Sequence, residues 1–473
     1  MFRSPVVTIM GHVDHGKTTL LDYLRQSRLT SKEQGGITQH IGAYQVMVGE
    51  KKLTFIDTPG HAAFNKMRER GAKVTDLIVL VVAANDGVKP QTIESIRHIQ
   101  QAGVPFIVAI NKIDLPDVNV INVKSQLAEH NVVVTDFGGE VEAVEISAKT
   151  GKNIDKLLET ITIIADFAQL EADENDELEA VVIEASKQAK QGPMANVIVK
   201  NGTLTLRQDI YTSDTYGKVR NIINDLGQNI TSLKPGEPGQ ILGFKEVPAV
   251  GAIITAKKPN AQPANQDLAF NLDLSSFDQK PKLKFILKAD TQGTLEAINQ
   301  HLDPDSIDLV FAGVGEVNDS DVELAKTTGA KIIAFQVKVS PKIVQNAKAM
   351  DVKIKNYDII YELIEYIEKK MLKLIEPTID EIITGEGQIE QIFEMKGLKI
   401  AGLKMKSGEI KKSDKLHLKR DDQIIANPVI STMMHAKQEI SSLKGTSEGG
   451  VVFKQKKLDF KIGDLLIAYT IDD

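Results

Sequence analysis

The chain has 473 residues, of which 42% are hydrophobic and 26% are charged, and its formal net charge is −7. This length predicts several domains, because a single hydrophobic core stops growing beyond about 250–300 residues. The composition is typical of a folded protein, and the absence of cysteine excludes disulfides and thiolate metal sites. No export signal is recognisable at the start, so we expect a cytoplasmic protein.

The first predicted elements are a strand at 6–10 and a helix at 20–24, separated by a glycine-containing loop. The loop, GHVDHGKT at 11–18, fits the pattern GxxxxGK[ST] of phosphate-binding loops (P-loops). In such loops backbone N–H groups surround the phosphates, the lysine reaches the β- and γ-oxygens, and the final hydroxyl binds Mg²⁺. A chance match in a turn is the alternative, which the strand–loop–helix setting disfavours. The predicted phosphate-binding residues are Val13, Asp14, His15, Gly16, Lys17, Thr18, Thr19 and Gly60.

Two segments further along predict a nucleotide-dependent switch. The first, GGITQHIGA at 35–43, offers Thr38 as a second Mg²⁺ ligand that is in place only when a triphosphate is bound. The second, FIDTPGH at 55–61, ends a strand at Asp57, which can hold Mg²⁺ through water. Its Gly60 N–H can contact a γ-phosphate. His61 is a candidate for positioning the attacking water, although a single histidine is usually a surface or core residue.

Base selection is predicted about a hundred residues after the P-loop. The apolar run at 77–84 is far shorter than the roughly 20 residues of a membrane helix and predicts a buried strand. A second strand pattern, from 105, ends in NKID, at the strand end where open α/β sheets bind ligands. Asp114 can accept hydrogen bonds from the guanine N1–H and exocyclic amine, which adenine does not offer in that arrangement. The predicted guanine-binding residues are Asn111, Lys112, Asp114, Ser147, Ala148 and Lys149.

After the nucleotide site the sequence pattern changes several times. The acidic stretch at 170–180 predicts a linker or an exposed helical connection. Short alternating runs broken by turns at 181–257 predict a small antiparallel barrel. The Pro-, Asn- and Gln-rich segment at 258–271 has no periodicity, and 282–355 alternates strands with helices, which favours a small α/β structure with a partly parallel sheet.

The last part of the chain combines a helix with a second set of short strands. Apolar residues recur at helical spacing between Ile360 and Leu374, and Pro377 ends the run. An amphipathic helix packed on its own domain and a helix leading to the last module are both open. The region 391–461 contains 15 lysines and arginines against 8 acidic residues, an excess of seven. A solvated surface and a surface that contacts a phosphate backbone are the two interpretations of this charge.

Together, GHVDHGKT, GGITQHIGA, DTPGH, NKID and SAK resemble a translational GTPase, and the GGITQHIGA form is most similar to bacterial-type translation initiation factor two. The resemblance implies an α/β multidomain fold with a mostly parallel sheet in the GTPase domain. The implied segments are a P-loop GTP-binding domain at 1–169, a β-barrel at 170–258, a linker at 259–281, an α/β/α domain at 282–355, a connecting helix at 356–377 and a terminal β-barrel at 378–473.

The resemblance also assigns roles around the nucleotide. It implies GTP or GDP and Mg²⁺ as ligands, with the metal near Thr18, Thr38 and Asp57. His61 would be the catalytic residue, and the apolar Val13 and Ile37 would gate its approach to water. Asp14 would help to place a monovalent cation.

In the family the terminal barrel holds the aminoacyl end of formylmethionyl initiator tRNA, and here the sequence departs from the usual pattern. Met433, Met434 and His435 stand where a basic, basic, aromatic run is usual. A flexible methionine can still pack against a methionyl side chain. The predicted acceptor-end pocket is Leu403, Met433, Met434, His435, Glu448, Gly449 and Gly450, in which Leu403 and Gly449 replace usual cysteines.

The implied function is placing initiator tRNA on the small ribosomal subunit, promoting subunit joining and hydrolysing GTP on the ribosome. We expect a monomer that binds both ribosomal subunits, with other initiation factors as further partners and without DNA or membrane contacts. Family members commonly carry a long basic amino-terminal extension, whereas this chain starts almost at its first strand, as a short natural protein or a trimmed one would. Two alternatives are an elongation-type GTPase that delivers a specialised aminoacyl-tRNA and a regulatory GTPase that binds ribosomes without tRNA.

Overall fold

The structure describes the fold of most of the chain. A computed structural model describes residues 2–25, 41–59, 68, 71, 74–258, 282–375, 381–395, 398–421, 423–436, 438–455 and 458–471. The chain divides into two units, Met1–Glu368 and Lys369–Asp473. Among the described residues, no helix combines the length and the apolar character needed to cross a lipid bilayer.

The first unit begins with a mostly parallel sheet, as predicted for a P-loop domain. Its strands are β1 (Val6–Gly11), β2 (Gly42–Val48), β3 (Lys51–Asp57), β4 (Leu77–Ala83), β5 (Phe106–Asn111) and β6 (Glu142–Glu145). They are ordered β2-β3-β1-β4-β5-β6, and β2 runs antiparallel to β3 while the other pairs are parallel. The helices are α1 (Lys17–Arg25), α2 (Pro90–Ala102), α3 (Val120–Glu129) and α4 (Ile154–Phe167), with a short 3-10 turn at Thr135–Phe137.

Helices cover both faces of this sheet. Alternate residues of β4 enter two different cores: Leu77 and Val79 pack with residues of α1 and α4, while Ile78 and Leu80 pack with residues of α2 and α3. A strand buried on both faces is apolar at every position, which explains the uninterrupted apolar run of β4. In such a doubly wound sheet the ligand site lies beyond the carboxyl ends of the strands.

An antiparallel barrel follows. Its strands are β7 (Glu179–Gln188), β8 (Gly192–Asn201), β9 (Leu204–Thr205), β10 (Asp209–Tyr211), β11 (Tyr216–Ile223), β12 (Asn229–Ile230), β13 (Ser232–Leu233), β14 (Pro238–Phe244) and β15 (Ile253–Ile254). The main order is β10-β11-β14-β8-β7-β15, and a bridge between Tyr211 and Thr255 joins its two ends. Residues 170–178, for which a linker or a helical connection was predicted, form turns and a single bridge and contain no helix.

The rest of the first unit is a small α/β layer. Its strands are β16 (Leu283–Ala289), β17 (Ile307–Val314), β18 (Lys331–Phe335) and β19 (Ile354–Tyr357), ordered β17-β16-β18-β19. All described pairs are parallel, whereas the sequence predicted a partly parallel sheet. The helices are α5 (Gln292–Asn299), α6 (Asp319–Thr328) and α7 (Pro341–Ala349), and α8 (Ile360–Ile375) is the helix that the apolar spacing predicted.

The second unit is a barrel-like antiparallel sheet. Its strands are β20 (Glu381–Met395), β21 (Leu398–Lys411), β22 (Lys415–Arg420), β23 (Gln423–Ala426), β24 (Ile430–His435), β25 (Gln438–Ile440), β26 (Ser442–Lys444), β27 (Glu448–Phe453) and β28 (Leu465–Ile471). The order is β23-β22-β28-β20-β21-β27-β24-β25, with β26 paired to β21. One apolar core, including Leu418, Phe453 and Leu466, lies inside this sheet.

Candidate nucleotide-binding site

The P-loop connects the end of β1 to the start of α1 through tightly packed backbone. Gly11 has φ +140°, and a Cβ there would collide with the Val81 carbonyl oxygen. Gly16 has φ +90°, and a Cβ there would collide with the Asn111 side-chain amide. Both positions therefore require glycine, because other residues disfavour these φ values and the added atom has no room.

Lys17 is the buried cation of this loop. Its Nζ donates to the carbonyl oxygens of Gly11 at 2.9 Å and His12 at 2.6 Å. The pKa of Lys17 is lowered to about 8, chiefly because the side chain is buried; the Asp57 carboxylate opposes this shift, and the neighbouring Arg68 charge adds to it. A desolvated ammonium held at the P-loop gains strongly from an anionic ligand, because opposite charges attract more strongly when water is excluded.

Asn111 joins the P-loop to the loop after β6. Its Nδ2 donates to the His15 carbonyl at 2.9 Å, and its Oδ1 accepts from the Ala148 N–H at 2.9 Å. Asn111 is 2% exposed, so both hydrogen bonds are protected from water. The phosphate side and the predicted base side of the site are thus fixed relative to each other by one side chain.

The predicted base contact, Asp114, lies exposed beside the same loop. Ser147 donates its hydroxyl hydrogen to Asp114 Oδ1 at 2.7 Å and accepts from the Thr150 N–H at 3.2 Å. The hydrogen bond from Ser147 lowers the pKa of Asp114, with the charge of Lys149 contributing in the same direction. An ionised carboxylate with an open edge is a suitable acceptor for two neighbouring N–H donors. The backbone of Lys112, at φ 67°, turns the chain at this point.

The remaining predicted nucleotide contacts divide into two groups. Thr18 and Thr19 follow Lys17 on α1, and Asp57 ends β3 next to Ile9 of β1, so Thr18 and Asp57 occupy the same sheet edge. Four predicted residues lie outside the described residues, and their placement is left as a prediction: Ile37, Thr38, Gly60 and His61.

Two residues that the sequence patterns did not identify contact this site. Gln91, on α2, accepts a hydrogen bond from the Val13 N–H at 3.0 Å. Arg68 is fully buried and donates to the Pro59 carbonyl at 3.1 Å and to the Glu94 carboxylate at 2.8 Å. For Gln91 the available signal was its position at the start of the helix that follows β4. Since β4 lies next to β1 in the sheet, that helix start comes close to the P-loop. For Arg68 no sequence pattern indicated burial.

The predicted acceptor-end residues lie on three adjacent strands of the second unit. Leu403 pairs with Gly449, and Met434 pairs with Gly450. The side chains of Leu403 and Met433 belong to the apolar core and are 1% and 0% exposed, whereas those of Met434, His435 and Glu448 reach the surface to different degrees. His435 contacts the Glu448 carbonyl through Nδ1 at 2.5 Å. The structure therefore brings the seven residues together but presents only part of them to a ligand.

Family models match three consecutive parts of the chain. The model described as the elongation factor Tu GTP binding domain matches residues 3–166, elongation factor G domain 2 matches 177–257, and translation-initiation factor 2 matches 259–368. These matches follow the order of the P-loop domain, the barrel and the α/β layer.

Similar proteins extend over the whole chain. A translation initiation factor IF-2 of a Nitratiruptor species is 42% identical, covering 99% of this chain and 58% of that protein. A translation initiation factor IF-2 of Streptococcus thermophilus is 41% identical, covering 100% of this chain and 52% of that protein. This chain thus spans about half the length of the curated relatives it matches. Among solved structures, GDP-bound aIF5B from Aeropyrum pernix is 24% identical and covers 99% of this chain and 92% of its own, with a TM-score of 0.48.

Proposed function

Because the chain belongs to the translation initiation factor IF-2 family of translational GTPases, we propose that it is a GTP-dependent initiation factor. In this role it binds formylmethionyl initiator tRNA, places it on the small ribosomal subunit, promotes subunit joining and hydrolyses GTP on the ribosome. The observation that supports the proposal is Asn111, which ties the P-loop to the loop beside Asp114 and so holds together the two parts of the chain that we assign to phosphate and to guanine.

The residues present fit GTP and Mg²⁺. Mg²⁺ prefers oxygen ligands, and the Thr18 hydroxyl and the Asp57 carboxylate lie at the same sheet edge as Lys17. We assign Thr38 as a further ligand that joins them in the triphosphate state. Bound magnesium would neutralise phosphate charge and orient the β- and γ-phosphates. The exposed carboxylate of Asp14 is our candidate for a monovalent cation next to the P-loop.

Hydrolysis then proceeds by in-line attack of water on the γ-phosphate. Lys17 and the P-loop N–H groups that follow Val13, whose own N–H is bonded to Gln91, stabilise the charge on the phosphate oxygens. Gly60 donates its N–H to the γ-phosphate. His61 aligns the attacking water, with Val13 and Ile37 controlling its approach. Arg68 is held by Glu94 and Pro59, so we do not assign it to the reacting phosphate, and we expect slow hydrolysis until the ribosome is bound.

The His61→Ala variant tests this assignment. GTP binding should persist, because the contacts of the P-loop and of Asp114 are unchanged, while ribosome-stimulated turnover should fall by a factor of about a hundred or more. His130→Ala, at the end of α3, is the matched control and should keep full turnover. Normal stimulated turnover in His61→Ala would refute the catalytic role.

A regulatory GTPase that binds ribosomes without carrying tRNA is a second candidate. The observation that favours it is the burial of Leu403 and Met433 in the core of the second unit, which removes two side chains from the predicted acceptor-end pocket. We propose that Met434, His435 and Glu448 form the accessible part of that pocket.

Binding of tRNA separates the two candidates. The 473-residue chain is titrated with formylmethionyl, methionyl and elongator aminoacyl-tRNAs at fixed salt, because contacts with the phosphate backbone weaken as salt rises. An initiation factor should prefer the formylated initiator and lose that preference in a Met434→Ala, His435→Ala double variant, with His301→Ala as control. Equal weak binding of all three tRNAs would favour the regulatory GTPase.

A further inference from the structure

The backbone of both neighbours of the P-loop residue Asp14 is hydrogen-bonded to a side-chain amide. Asp14 has φ 61°, a left-handed conformation that is unfavourable for residues other than glycine. On its carboxyl side, the carbonyl of His15 accepts from Asn111 Nδ2 at 2.9 Å. On its amino side, the N–H of Val13 donates to Gln91 Oε1 at 3.0 Å. The backbone on both sides of the strained residue is therefore held by a side chain from a different element.

The position of Gln91 follows from the sheet order. β4 is the neighbour of β1, and the chain leaving β4 turns at 84–89 and begins α2 at Pro90, beside the P-loop. Gln91 is half-buried and is the second residue of this helix. The same turn places Asp86 at 3.4 Å from His15 Nε2 and pairs it with Lys89 at 2.8 Å. The start of α2 thus supports the P-loop from one side, as the loop of Asn111 does from the other.

We propose that Gln91 is a positioning residue for nucleotide binding, a role that rests on the proposed binding of guanine nucleotides. Its Oε1 holds the Val13 N–H, keeps Asp14 in the left-handed conformation and so keeps the P-loop preformed for phosphates. Without this acceptor, the Val13 N–H loses its partner and the strained residue is held from one side only. Preformed sites bind more tightly because less order is imposed on binding.

The test compares variants that differ in one acceptor atom. Gln91→Met keeps the length of the side chain and removes the acceptor, whereas Gln91→Glu keeps an acceptor oxygen. Gln100→Met, at an exposed position of α2, is the matched control. Two quantities are measured for each variant of the 473-residue chain: the dissociation rate of fluorescent GDP with Mg²⁺, and hydrogen exchange of the Val13 amide in overlapping peptides. Thermal unfolding reports whether a variant has lost its fold.

Gln91→Met should release GDP about tenfold faster and exchange the Val13 amide faster, because one partly buried hydrogen bond is lost. Gln91→Glu should restore the protection of Val13, and Gln100→Met should match the wild type. The preference for GDP over ADP should stay unchanged in all variants. A general loosening of the domain would reduce this preference.

Any of three results for Gln91→Met overturns the proposal. Two of them are an unchanged rate of GDP release and unchanged hydrogen exchange of the Val13 amide. The third is tighter GDP binding, which would mean that Gln91 competes with phosphate for the Val13 N–H. In each of these cases, binding of GDP by the wild type leaves the proposed function intact. Failure of the wild type itself to bind GDP overturns the proposed function, while the exchange of Val13 still reports on the Gln91 hydrogen bond.

Discussion

At the scale of single residues, the site is organised around charges that are held in place before a ligand arrives. Lys17 is buried and hydrogen-bonded to two carbonyls, and Asp114 is ionised and oriented by Ser147. In the proposed function, Lys17 binds phosphate and Asp114 binds a base with two adjacent N–H donors. For each of these two residues, one prediction follows from its charged group.

The affinity for GDP should depend on the protonation of Lys17. Burial lowers the pKa of free Lys17 to about 8, and a bound diphosphate should raise it, because it favours the charged form. Below about pH 8 Lys17 is already protonated, so its titration does not change the affinity for GDP. Above about pH 8 the affinity falls by up to tenfold per pH unit, because Lys17 must take up a proton when GDP binds. Calorimetry at pH 8.5 in buffers of different ionisation enthalpy measures this uptake. Lys17→Arg, which stays charged, should show none, and equal uptake in both proteins would assign the proton elsewhere.

Exchanging the carboxylate of Asp114 for an amide should change the base that is bound. In Asp114→Asn an N–H donor replaces an acceptor, so guanine loses a hydrogen bond and xanthine, with an oxygen at C2, gains one. We expect GDP to bind about a hundredfold or more weakly and xanthosine diphosphate to bind better than in the wild type. Competition binding with both nucleotides measures this change. Asp117→Asn, three residues away, should retain the preference for GDP; loss of binding to both nucleotides in Asp114→Asn would argue for damage to the loop.

At the scale of elements, four helix starts in the first unit, those of α3, α5, α6 and α7, have a side chain that accepts a hydrogen bond from a backbone N–H of the first turn. In α6, Asn318 accepts from the Asp321 N–H at 3.0 Å, and Asp321 accepts from the Asn318 N–H at 2.9 Å. Asp321 also pairs with the buried Lys288 at 3.2 Å, which ties the helix start to β16. This reciprocal arrangement is a capping box, and it sets where α6 begins.

Removing this cap should destabilise α6 locally. Asn318→Ala deletes the acceptor for the Asp321 N–H, at a cost of about 1 kcal/mol. Because the chain has several domains, local hydrogen exchange of residues 319–328 is a better measure than a global unfolding midpoint. Exchange should be faster there and unchanged in the P-loop domain. Asn299→Ala, at the exposed end of α5, is the control, and equal protection of α6 in both variants would contradict the role of the cap.

At the scale of the whole molecule, the first unit is held together by a charged cluster between the P-loop domain and the barrel. Arg3 donates to both oxygens of Asp76, at 2.5 and 2.6 Å, and Lys200 of β8 lies 3.4 Å from the same carboxylate. The Val6 N–H donates to Asp76 as well, at 2.8 Å. Burial opposes ionisation of Asp76, but the hydrogen bond from Arg3 and the charge of Lys200 prevail and lower its pKa.

Asp76→Asn should weaken the first unit by roughly 3–5 kcal/mol, because it leaves two largely buried cations without their anion. Since the folded pKa lies below the ordinary value of an aspartate, this stabilisation is complete above about pH 4 and is lost as the pH falls through the folded pKa. Calorimetric unfolding at several pH values measures the difference between variant and wild type, which should narrow in acid. Asp209→Asn, which forms only an exposed ion pair, is the control. A difference that does not change with pH would show that the charge of Asp76 is not responsible.

Local patterns predicted much of the fold and supplied the proposed site residues. The P-loop, the buried strands before NKID, and α8 were predictable because residue order directly determines turn chemistry and apolar periodicity. The all-parallel pairing of the α/β layer was not predicted, and the sequence left the choice between a linker and a helix at 170–178 open, because pairing direction and linker conformation depend on distant contacts. All the assigned roles of the site residues stay predictions, and Ile37, Thr38, Gly60 and His61 also lie outside the described residues.

The sequence by itself determined the family resemblance and indicated the chemistry that we propose: a loop with the phosphate-binding pattern and a carboxylate suited to a guanine base. Those features depend on residue types at fixed short spacings, which a single strand–loop–helix already contains. Only the tertiary structure decided that Gln91 contacts the P-loop, that Arg68 is neutralised by Glu94, and that Leu403 and Met433 are core residues. These contacts join residues that are distant in the chain or depend on which face of a strand is buried, and only the packing of sheets and helices brings such groups together.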